Sequence, residues 1–559
     1  MTATLSRRRM LRFHGWGYAD DRLSPDEEAR VRRSAMRFNS AQLETPAPQL
    51  SDFDVRAPRL APPASLASMM SVTPYDRLTH SLGKSFADIV RMYLRDVRHP
   101  PDLVAFPKSE ADVAAILGWA SDANVAAIPF GGGSSVAGGV EPDVGDSYAG
   151  TVSIDLQYLH KVVEIDRASR AARIQAGALG PEIEDELKPH GLTLRHFPQS
   201  LQHSTLGGWI ATRSGGHYAS LYTHIDDFVE STRTVTPAGI LQTRRLPGSG
   251  AGPSPDRMMI GSEGILGVIV EAWMRLQDRP VHQASASVSF ETMAKATAAV
   301  RALSQSGLFP SNCRLLDPAE ARANGVGDGA AAVLVLGFES ADHPLDAWMK
   351  RSLELVADCQ GRFDVDAVAR SLSPGGGAAE HRQGAAGQWR NAFIRMPYHR
   401  DLMVALGVIT DTFETAITWD RFETLYEGVR EQTAAVIREI CGHEATISCR
   451  FTHIYPDGPA PYFSYSALGA PTGNLADSLA RWREIKRATN DIVVGLGGTV
   501  THHHAVGRDH RSGYETQSPA LFRGALAAAK KSLDPAGILN PGVLIDPVDR
   551  PVGIHGALG

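Results

Sequence analysis

Cysteine is scarce in this sequence, and its arrangement excludes two common kinds of site. The chain has four cysteines, Cys313, Cys359, Cys441 and Cys449, and no C-x-x-C spacing. Neither a zinc ribbon nor a disulfide framework is therefore expected. We expect plain buried thiols in a reducing compartment.

Long hydrophobic runs and targeting signals are also missing. The apolar run at 330–338 is too short to cross a bilayer, and no apolar segment of the secretory type follows Arg7-Arg8-Arg9. The last residues, His-Gly-Ala-Leu-Gly559, are not the peroxisomal Ser-Lys-Leu. We therefore expect a cytoplasmic protein. The basic residues within 7–12 predict peripheral contact with anionic headgroups, with a solvated terminus as the alternative.

No excess of positive charge marks a nucleic-acid surface. Lysine and arginine number 56 against 62 aspartates and glutamates, for a net charge of −6. No nucleic-acid partner is therefore expected. At 559 residues and 43% hydrophobic, the chain is long enough for two or three domains.

The glycines are concentrated in one informative loop, Pro129-Phe-Gly-Gly-Gly-Ser-Ser-Val-Ala-Gly-Gly139. It follows an apolar segment at 125–128 and a helix signal that starts at Ser109, with Asp112 completing a capping box. Small residues let main-chain N–H groups converge on an anion, so the loop predicts a diphosphate site. It lacks the Gly-Lys-Ser/Thr of a P-loop and the G-x-G-x-x-G spacing. An ordinary glycine-rich turn is the alternative.

Three further segments resemble, together with this loop, the FAD-binding module of the vanillyl-alcohol-oxidase-like (PCMH-type) flavoproteins. They are Pro198-Gln-Ser-Leu-Gln-His-Ser-Thr-Leu-Gly-Gly-Trp-Ile-Ala-Thr-Arg213, Gly261-Ser-Glu-Gly-Ile-Leu-Gly-Val268 and Asp534-Pro-Ala-Gly-Ile-Leu-Asn-Pro-Gly542.

A second set of motifs, in the same chain order, resembles the alkyldihydroxyacetonephosphate synthase family. They are His14-Gly-Trp-Gly-Tyr18, Cys313-Arg-Leu-Leu-Asp317, Phe413-Glu-Thr415, Trp419-Asp-Arg421, Ser448-Cys-Arg450, Tyr462-Phe-Ser-Tyr465 and Thr501-His-His-His-Ala-Val-Gly-Arg508. The chain departs from the family pattern at Ser464, Ala505 and Arg508, which leaves the identity of the substrate open.

The pattern and the resemblance together predict an α+β fold. We expect a helical N-terminal segment and arm (1–95), a PCMH-type FAD-binding domain (96–280), and a mixed α+β cap or substrate domain (281–500). A C-terminal segment (501–559) carries the His triplet and packs on the FAD domain. Within 281–498 helical periodicity dominates, and strand-like runs are visible at 331–338 and 445–454.

The resemblance implies FAD as cofactor, held by residues of the first three segments. Since no histidine or cysteine lies within 129–139, we expect FAD to be non-covalent. The predicted cofactor-binding residues are Pro129, Gly131, Gly132, Gly133, Ser134, Ser135, Val136, Pro198, Ser204, Thr205, Gly207, Gly208, Ala211, Thr212, Ser214, Glu263, Gly264, Gly267, Val268 and Ile269.

The consecutive histidines His502, His503 and His504 are candidates for proton transfer and anion binding. If the stretch is extended, His502 and His504 face one side and His503 the other. Consecutive spacing suits tetrahedral zinc poorly, so no metal site is predicted. A structural cluster is the remaining alternative. The resemblance places all three in an active site.

The resemblance also implies roles for Tyr462 as general acid/base, Arg314 as a catalytic group near the flavin, and Arg400 as the phosphate anchor. A phenol can act as general acid/base only if nearby cations lower its pKa. The candidates for these cations are Arg450, Arg314 and His503. Thr415, Arg450 and Tyr465 are further predicted substrate contacts. Each role has a structural alternative. The tyrosines could simply pack in the core, Arg400 could lie on a helix surface, and Arg314 could form an ion pair between domains.

The implied activity is a FAD-dependent transfer that exchanges the acyl chain of acyl-dihydroxyacetone phosphate for a fatty alcohol in ether-lipid synthesis, without net redox. The expected partners are these lipid substrates and a second copy of the chain in a homodimer. One alternative is a FAD-linked oxidoreductase of a 2-hydroxy acid or phenol. Another is a flavin-binding scaffold with idle side chains.

Overall fold

The computed structural model describes residues 9–38, 44–222, 224–373, 385–470, 473–552 and 558, with 385–393 described as helical backbone. The N-terminal part contributes helices α1 (Pro25–Ala35), α2 (Pro74–Thr79) and α3 (Phe86–Tyr93). Helix α1 begins after Ser24, whose side chain forms a reciprocal capping box with Glu27. Every residue of α3 is buried, and its apolar side chains join the largest core of the molecule.

The first sheet carries the glycine-rich loop. Its strands are β1 (Met70–Ser71), β2 (Leu103–Ala105), β3 (Val125–Phe130) and β4 (Gly150–Asp155), in the order β1-β2-β4-β3. Strands β2, β4 and β3 are parallel. Helix α4 (Glu110–Asp122) connects β2 to β3. The Ser109 hydroxyl accepts from the Asp112 N–H as predicted, but the Asp112 carboxylate accepts from the Lys108 N–H, so the cap is one-sided.

The second sheet is antiparallel and lies in the same half of the molecule. It is built from β5 (Val162–Asp166), β6 (Ala171–Gln175), β8 (Val229–Thr236), β9 (Gly239–Gln242) and β10 (Val268–Arg275), in the order β5-β6-β10-β8-β9. Strands β7 (Leu192–Thr193) and β11 (Gln277–Asp278) form a separate pair. The helices are α5 (Gly180–Leu187), α6 (Leu206–Thr212), α7 (Ala219–Tyr222) and α8 (Pro255–Met259).

The third sheet has seven antiparallel strands in the order β15-β12-β14-β13-β17-β18-β16. The strands are β12 (His282–Phe290), β13 (Asn312–Leu316), β14 (Ala332–Ser340), β15 (Arg362–Phe363), β16 (Val408–Glu414), β17 (Thr446–Ile454) and β18 (Pro459–Leu468). The helices are α9 (Met293–Gln305), α10 (Pro318–Ala323), α11 (Asp346–Asp358), α12 (Val365–Leu372), α13 (Ala385–Ala405), α14 (Phe422–Cys441) and α15 (Leu475–Gly495).

The α+β fold is confirmed, but the sequence underestimated the strand content of this half. Strand β12 shows why, because it alternates buried Ala284 and Ala286 with serines. Such small residues give a weak period-2 signal. The strand is held by its pairing with β14 along its whole length.

The C-terminal part returns to the first sheet. After α16 (Arg511–Gln517) and α17 (Ala520–Leu533), the Ala127 N–H of β3 donates to the Ile538 carbonyl (2.8 Å), and the Asn540 N–H donates to the Ala127 carbonyl (2.9 Å). The segment after the His triplet therefore runs beside the strand that leads into the glycine-rich loop.

Across the described ranges, the helices are all too short or too polar to cross a bilayer. The basic N-terminal cluster is partly engaged by the protein itself. Arg9 pairs with Asp20 and lies over the Tyr18 ring, and Arg12 pairs with Asp401. Arg7 and Arg8 lie outside the described residues. These pairings leave fewer cations for headgroups than the sequence suggested.

A buried ion pair fixes α3 to the segment after the glycine-rich loop. Both Arg91 nitrogens bind the Glu141 carboxylate at 2.8 and 2.9 Å. We expect Arg91→Ala to destabilise the protein by about 3 to 5 kcal/mol, because it leaves a buried carboxylate without its guanidinium partner. The matched control is Arg98→Ala, which removes an exposed pair with Asp96 and should cost under about 1 kcal/mol. Thermal unfolding checks this, and equal shifts for both variants would contradict it.

Candidate active site

A deep cavity brings the glycine-rich loop together with the seven-stranded sheet. One wall consists of the loop, the start of α6 and the turn before β10, and the opposite wall carries Tyr462, Thr412, His503 and His504. All twenty residues predicted to bind the cofactor line this cavity. The sequence placed these segments in one site, and the fold assembles them.

The glycines of the loop are required by close packing against a neighbouring segment. A Cβ on Gly132 would lie 1.6 Å from the His203 carbonyl oxygen, and one on Gly131 would lie 2.3 Å from Thr205 Oγ1. Gly133 has a positive φ of 65°, which favours glycine. The backbone therefore borders the cavity directly, as a diphosphate held by main-chain N–H groups requires.

Helix α6 begins at the same wall. Thr205 caps it by accepting from the Gly208 N–H, and the first turn contains Gly207 and Gly208, which line the cavity. The N-terminus of a helix favours negative charge. This arrangement suits the phosphates or the pyrimidine edge of a flavin nucleotide.

Glu263 and Asn540 hold together the wall that carries the glycine-rich loop. The Glu263 carboxylate accepts the N–H groups of Val506 and Gly507 at 2.9 and 2.7 Å, and burial raises its pKa to about 7. The Asn540 amide donates to the carbonyls of Glu263 and Gly139. Glu263 therefore joins the turn before β10 to the segment that follows the His triplet.

The opposite wall is organised by one row of side chains across three strands. In the register of the sheet, Tyr462 on β18 lies opposite Arg450 on β17 and Glu414 on β16. Directly opposed residues share a face of the sheet. The Arg450 guanidinium lies 3.8 Å from the centre of the Tyr462 ring, and the Tyr462 hydroxyl donates to Thr412 Oγ1 at 2.9 Å. The phenol is thus held on one face by a cation and at its tip by a hydrogen bond.

Glu414 holds the His triplet in place. Its buried carboxylate accepts the backbone N–H groups of all three histidines, at distances from 2.5 to 3.1 Å, and the Thr501 hydroxyl at 2.7 Å. Burial alone would raise its pKa, but the hydrogen bonds that the carboxylate accepts from Thr501 and from the backbone favour the ionised form and hold the pKa of Glu414 well below its ordinary value. An ionised carboxylate, which only accepts, matches a site made entirely of donors.

The histidines do not alternate as an extended stretch would. His503 and His504 both line the cavity, whereas His502 turns away from it toward His224 and Tyr455. The pairing of His502 with His504 was expected only for an extended stretch, and that condition is not met, because the chain bends around the Glu414 carboxylate. Burial lowers the pKa of His503 to about 3 and that of His504 to about 4, so both imidazoles are neutral at pH 7.

Tyr462 lies on the cavity as predicted, but its phenol is not acidified. Burial raises its pKa above the ordinary value, and Arg450 and the Thr412 hydrogen bond only oppose this partly. His503 is neutral and contributes no charge. The requirement for a lowered phenol pKa is therefore not met, and Tyr462 is protonated at neutral pH.

The remaining predicted residues divide between the cavity and its supports. Arg314 and Arg400 line the cavity. Thr415, Arg450 and Tyr465 do not: Thr415 donates to the Thr499 carbonyl, Arg450 pairs with Glu320, and the Tyr465 ring packs in the core against Phe413. Arg450 acts on the site through the Tyr462 ring that it covers.

Several residues that line the cavity or support its wall were not predicted from the sequence. Glu414 and Thr412 fall in or beside the Phe413-Glu-Thr415 motif but have no spacing that marks a function. Lys486 lines the cavity from the buried face of α15. A lysine on an otherwise apolar helix face could have marked it in the sequence as a functional residue. The other cavity residues that were not predicted include Trp16, His217, Asp411, His453, His510 and Asn540.

Comparisons with known proteins agree with this geometry. A family model described as FAD binding domain matches residues 101–244, and one described as FAD linked oxidases, C-terminal domain, matches residues 279–544. An alkyldihydroxyacetonephosphate synthase of Dictyostelium discoideum is 30% identical over 90% of this chain and 84% of its own length. One of Caenorhabditis elegans is 27% identical over 98% and 97%.

A solved structure of an alkyldihydroxyacetonephosphate synthase has the same fold. It superposes with a TM-score of 0.77 at 26% identity and covers 95% of this chain and 98% of that one. These findings confirm the PCMH-type fold and FAD as the cofactor. That FAD is non-covalent stays a prediction.

The close contact at Gly132 predicts a specific loss of FAD. A methyl group in Gly132→Ala would overlap the His203 carbonyl and push the loop out of position, so the purified variant should lack flavin absorbance. Gly118→Ala in α4 is the matched control, since its methyl meets no atom within 4 Å. We expect full flavin content in the control. A Gly132→Ala protein with the flavin content of the parent would contradict the assigned cradle.

Proposed function

This chain belongs to the alkyldihydroxyacetonephosphate synthase family, and we propose that it exchanges the acyl chain of acyl-dihydroxyacetone phosphate for a fatty alcohol without net redox. One observation carries the proposal: a protonated phenol and two neutral imidazoles face the same cavity as the FAD cradle. When bound, FAD would supply an electron-accepting isoalloxazine ring.

The protonation states suit an exchange of two oxygen groups. A fatty alcohol must give up its hydroxyl proton as it adds, and a neutral imidazole has a lone pair that can accept it. A protonated phenol can donate to the oxygen that departs. At neutral pH the cavity therefore holds a protonated phenol, which can donate a proton, beside neutral imidazoles, which can accept one.

Two cationic side chains that line the cavity support binding of the substrate phosphate. The Arg400 guanidinium lines the cavity, with one nitrogen 3.3 Å from the Lys84 carbonyl. Lys486 lines it as well. A guanidinium can bind two phosphate oxygens at once, and a lysine adds a second positive charge. We assign Arg400 as the main anchor and Lys486 as its partner.

An anaerobic exchange assay tests this function. Purified protein receives acyl-dihydroxyacetone phosphate, whose acyl chain carries a label, and a long-chain alcohol, with no electron acceptor present. We expect labelled fatty acid and the alkyl product in equal amounts, with FAD oxidised again at the end. An oxidoreductase would instead bleach its flavin with a 2-hydroxy acid or phenol and turn over only when an acceptor is added.

Tyr462 is expected to be required for turnover. Tyr462→Phe keeps the ring under Arg450 but removes the acidic proton, so we expect exchange to fall about 100-fold or more with the flavin content retained. Tyr158→Phe, outside the cavity, is the control and should match the parent. Parental activity in Tyr462→Phe would remove the phenol from the mechanism.

Glu414 is expected to position the histidines. Glu414→Gln replaces one accepting oxygen by an NH2 group that faces backbone donors, so the loop shifts and exchange should fall about 100-fold. Glu515→Gln on α16 is the matched control, and its rate should stay near that of the parent. Rates are compared at saturating substrate, with FAD content measured by absorbance. A Glu414→Gln enzyme of parental rate would show that the carboxylate does not position the loop.

The homodimer, the cytoplasmic location and the peripheral membrane contact stay predictions.

A further inference from the structure

We propose that His224, His453 and His502 form a binding site for Zn²⁺ behind the active site, with Tyr455 at its edge. Each histidine offers one ring nitrogen, and the three nitrogens lie within 4.8 Å of one another. They come from three distant parts of the chain, so the spacing argument against a metal on consecutive histidines does not apply. The inference does not depend on the identity of the substrate.

The separation of the nitrogens fits a tetrahedral ion. His224 Nε2 and His502 Nε2 are 3.2 Å apart, close to the edge of a tetrahedron with Zn–N bonds of about 2.0 to 2.1 Å. The three imidazole rings have centroids 4.6 to 5.5 Å apart. The Tyr455 hydroxyl lies 2.5 Å from His224 Nε2 and 3.0 Å from His502 Nε2. Three imidazoles and one open position are a known zinc arrangement.

The outer ring nitrogens are bound as in metal sites. His453 Nε2 lies 3.1 Å from the Gly216 carbonyl, and His224 Nδ1 lies 3.3 Å from the Arg213 carbonyl. A carbonyl only accepts, so each of these nitrogens carries the proton and the opposite nitrogen presents a lone pair. Two of the three histidines therefore have their tautomer fixed for ligation.

His453 supplies the independent observation. Its side chain is 3% exposed, and within the ranges that the structure describes, its Nδ1 has no hydrogen-bond partner. A buried lone pair without a donor is costly. A cation bound to His453 Nδ1 would satisfy it.

Two other clusters in the described part of the chain are less suited to a metal. In the group of Glu414, His502 and His503, the carboxylate already accepts four donors. In the group of His99, Glu141 and Asp143, Arg91 occupies both oxygens of Glu141. In the three-histidine group, by contrast, the inner nitrogens of His224 and His502 contact each other and one neutral group, the Tyr455 hydroxyl.

The ion would act on the active site through one hydrogen bond. With Nε2 of His502 bound to zinc, the ring proton stays on Nδ1, which lies 3.0 Å from His503 Nδ1. His503 Nδ1 then accepts, and the proton of His503 is placed on Nε2. The metal would thus fix His503 as a hydrogen-bond donor toward the cavity, with His504 as the imidazole whose lone pair accepts the proton in the proposed exchange.

Metal content tests the site directly. The full-length FAD protein is treated with EDTA, incubated with Zn²⁺ and gel-filtered, and zinc is measured by mass spectrometry alongside FAD. We expect close to one zinc per chain and a raised melting temperature. His224→Gln should weaken zinc binding about tenfold or more with FAD retained, whereas His343→Gln, a partly exposed histidine elsewhere, should bind zinc like the parent.

X-ray absorption of the zinc-loaded parent tests the site without any variant, so the result does not depend on whether His224→Gln folds. We expect imidazole scattering with nitrogen at about 2.0 to 2.1 Å. Failure to retain zinc, a spectrum without imidazole, or zinc binding unchanged in folded His224→Gln would each overturn the site. None of these readouts requires turnover, so they are separate from the outcome of the exchange assay.

Discussion

The buried Glu414 carboxylate is the interaction on which the active site depends. It ends β16, lies beside Tyr462 in the register of the sheet, and accepts the backbone N–H groups of all three histidines. One side chain thus connects the rigid sheet to an irregular segment that must present two imidazoles. A carboxylate that bound fewer donors would have its pKa raised by burial. The donors both stabilise its charge and define the path of the loop.

The two walls of the cavity use different chemistry. The FAD wall is built from backbone, because Gly131 and Gly132 carry no Cβ that would clash with Thr205 or the His203 carbonyl, so the loop packs closely against that segment. The opposite wall works through side chains held by neighbours, with Arg450 over the Tyr462 ring and Thr412 at its hydroxyl. Burial raises the pKa of Tyr462 and lowers the pKa of His503 and His504. At neutral pH a protonated phenol and neutral imidazoles therefore face the same cavity.

The parts of this site that are formed by consecutive residues could be predicted from the sequence. The parts that depend on the register of neighbouring strands could not. The glycine-rich loop and the start of α6 could be predicted, since the small residues and the N-terminal cap that define them are adjacent in the sequence. Glu414 could not, because its importance comes from lying opposite Tyr462 on a neighbouring strand. For the same reason Arg450 was predicted as a substrate contact and is a support. The side chains of His502 and His504 diverge because the Glu414 carboxylate bends the chain, which no local pattern records.

Strand content was the main difference in the fold. The alternation of alanine and serine in β12 is too weakly hydrophobic to stand out, whereas β14 and β17 were visible as apolar runs. Long-range pairing, which sequence periodicity does not contain, determines that these strands form one sheet.

A crystal structure of the FAD complex is the most direct measurement of the central claim. The account predicts the diphosphate against the backbone of residues 131–135, and the isoalloxazine ring facing the Tyr462 hydroxyl and the imidazoles of His503 and His504, with Glu414 still bound to the backbone of the triplet. A flavin ring on the far side of the cavity from Tyr462, or a triplet released from Glu414 when FAD is bound, would contradict it.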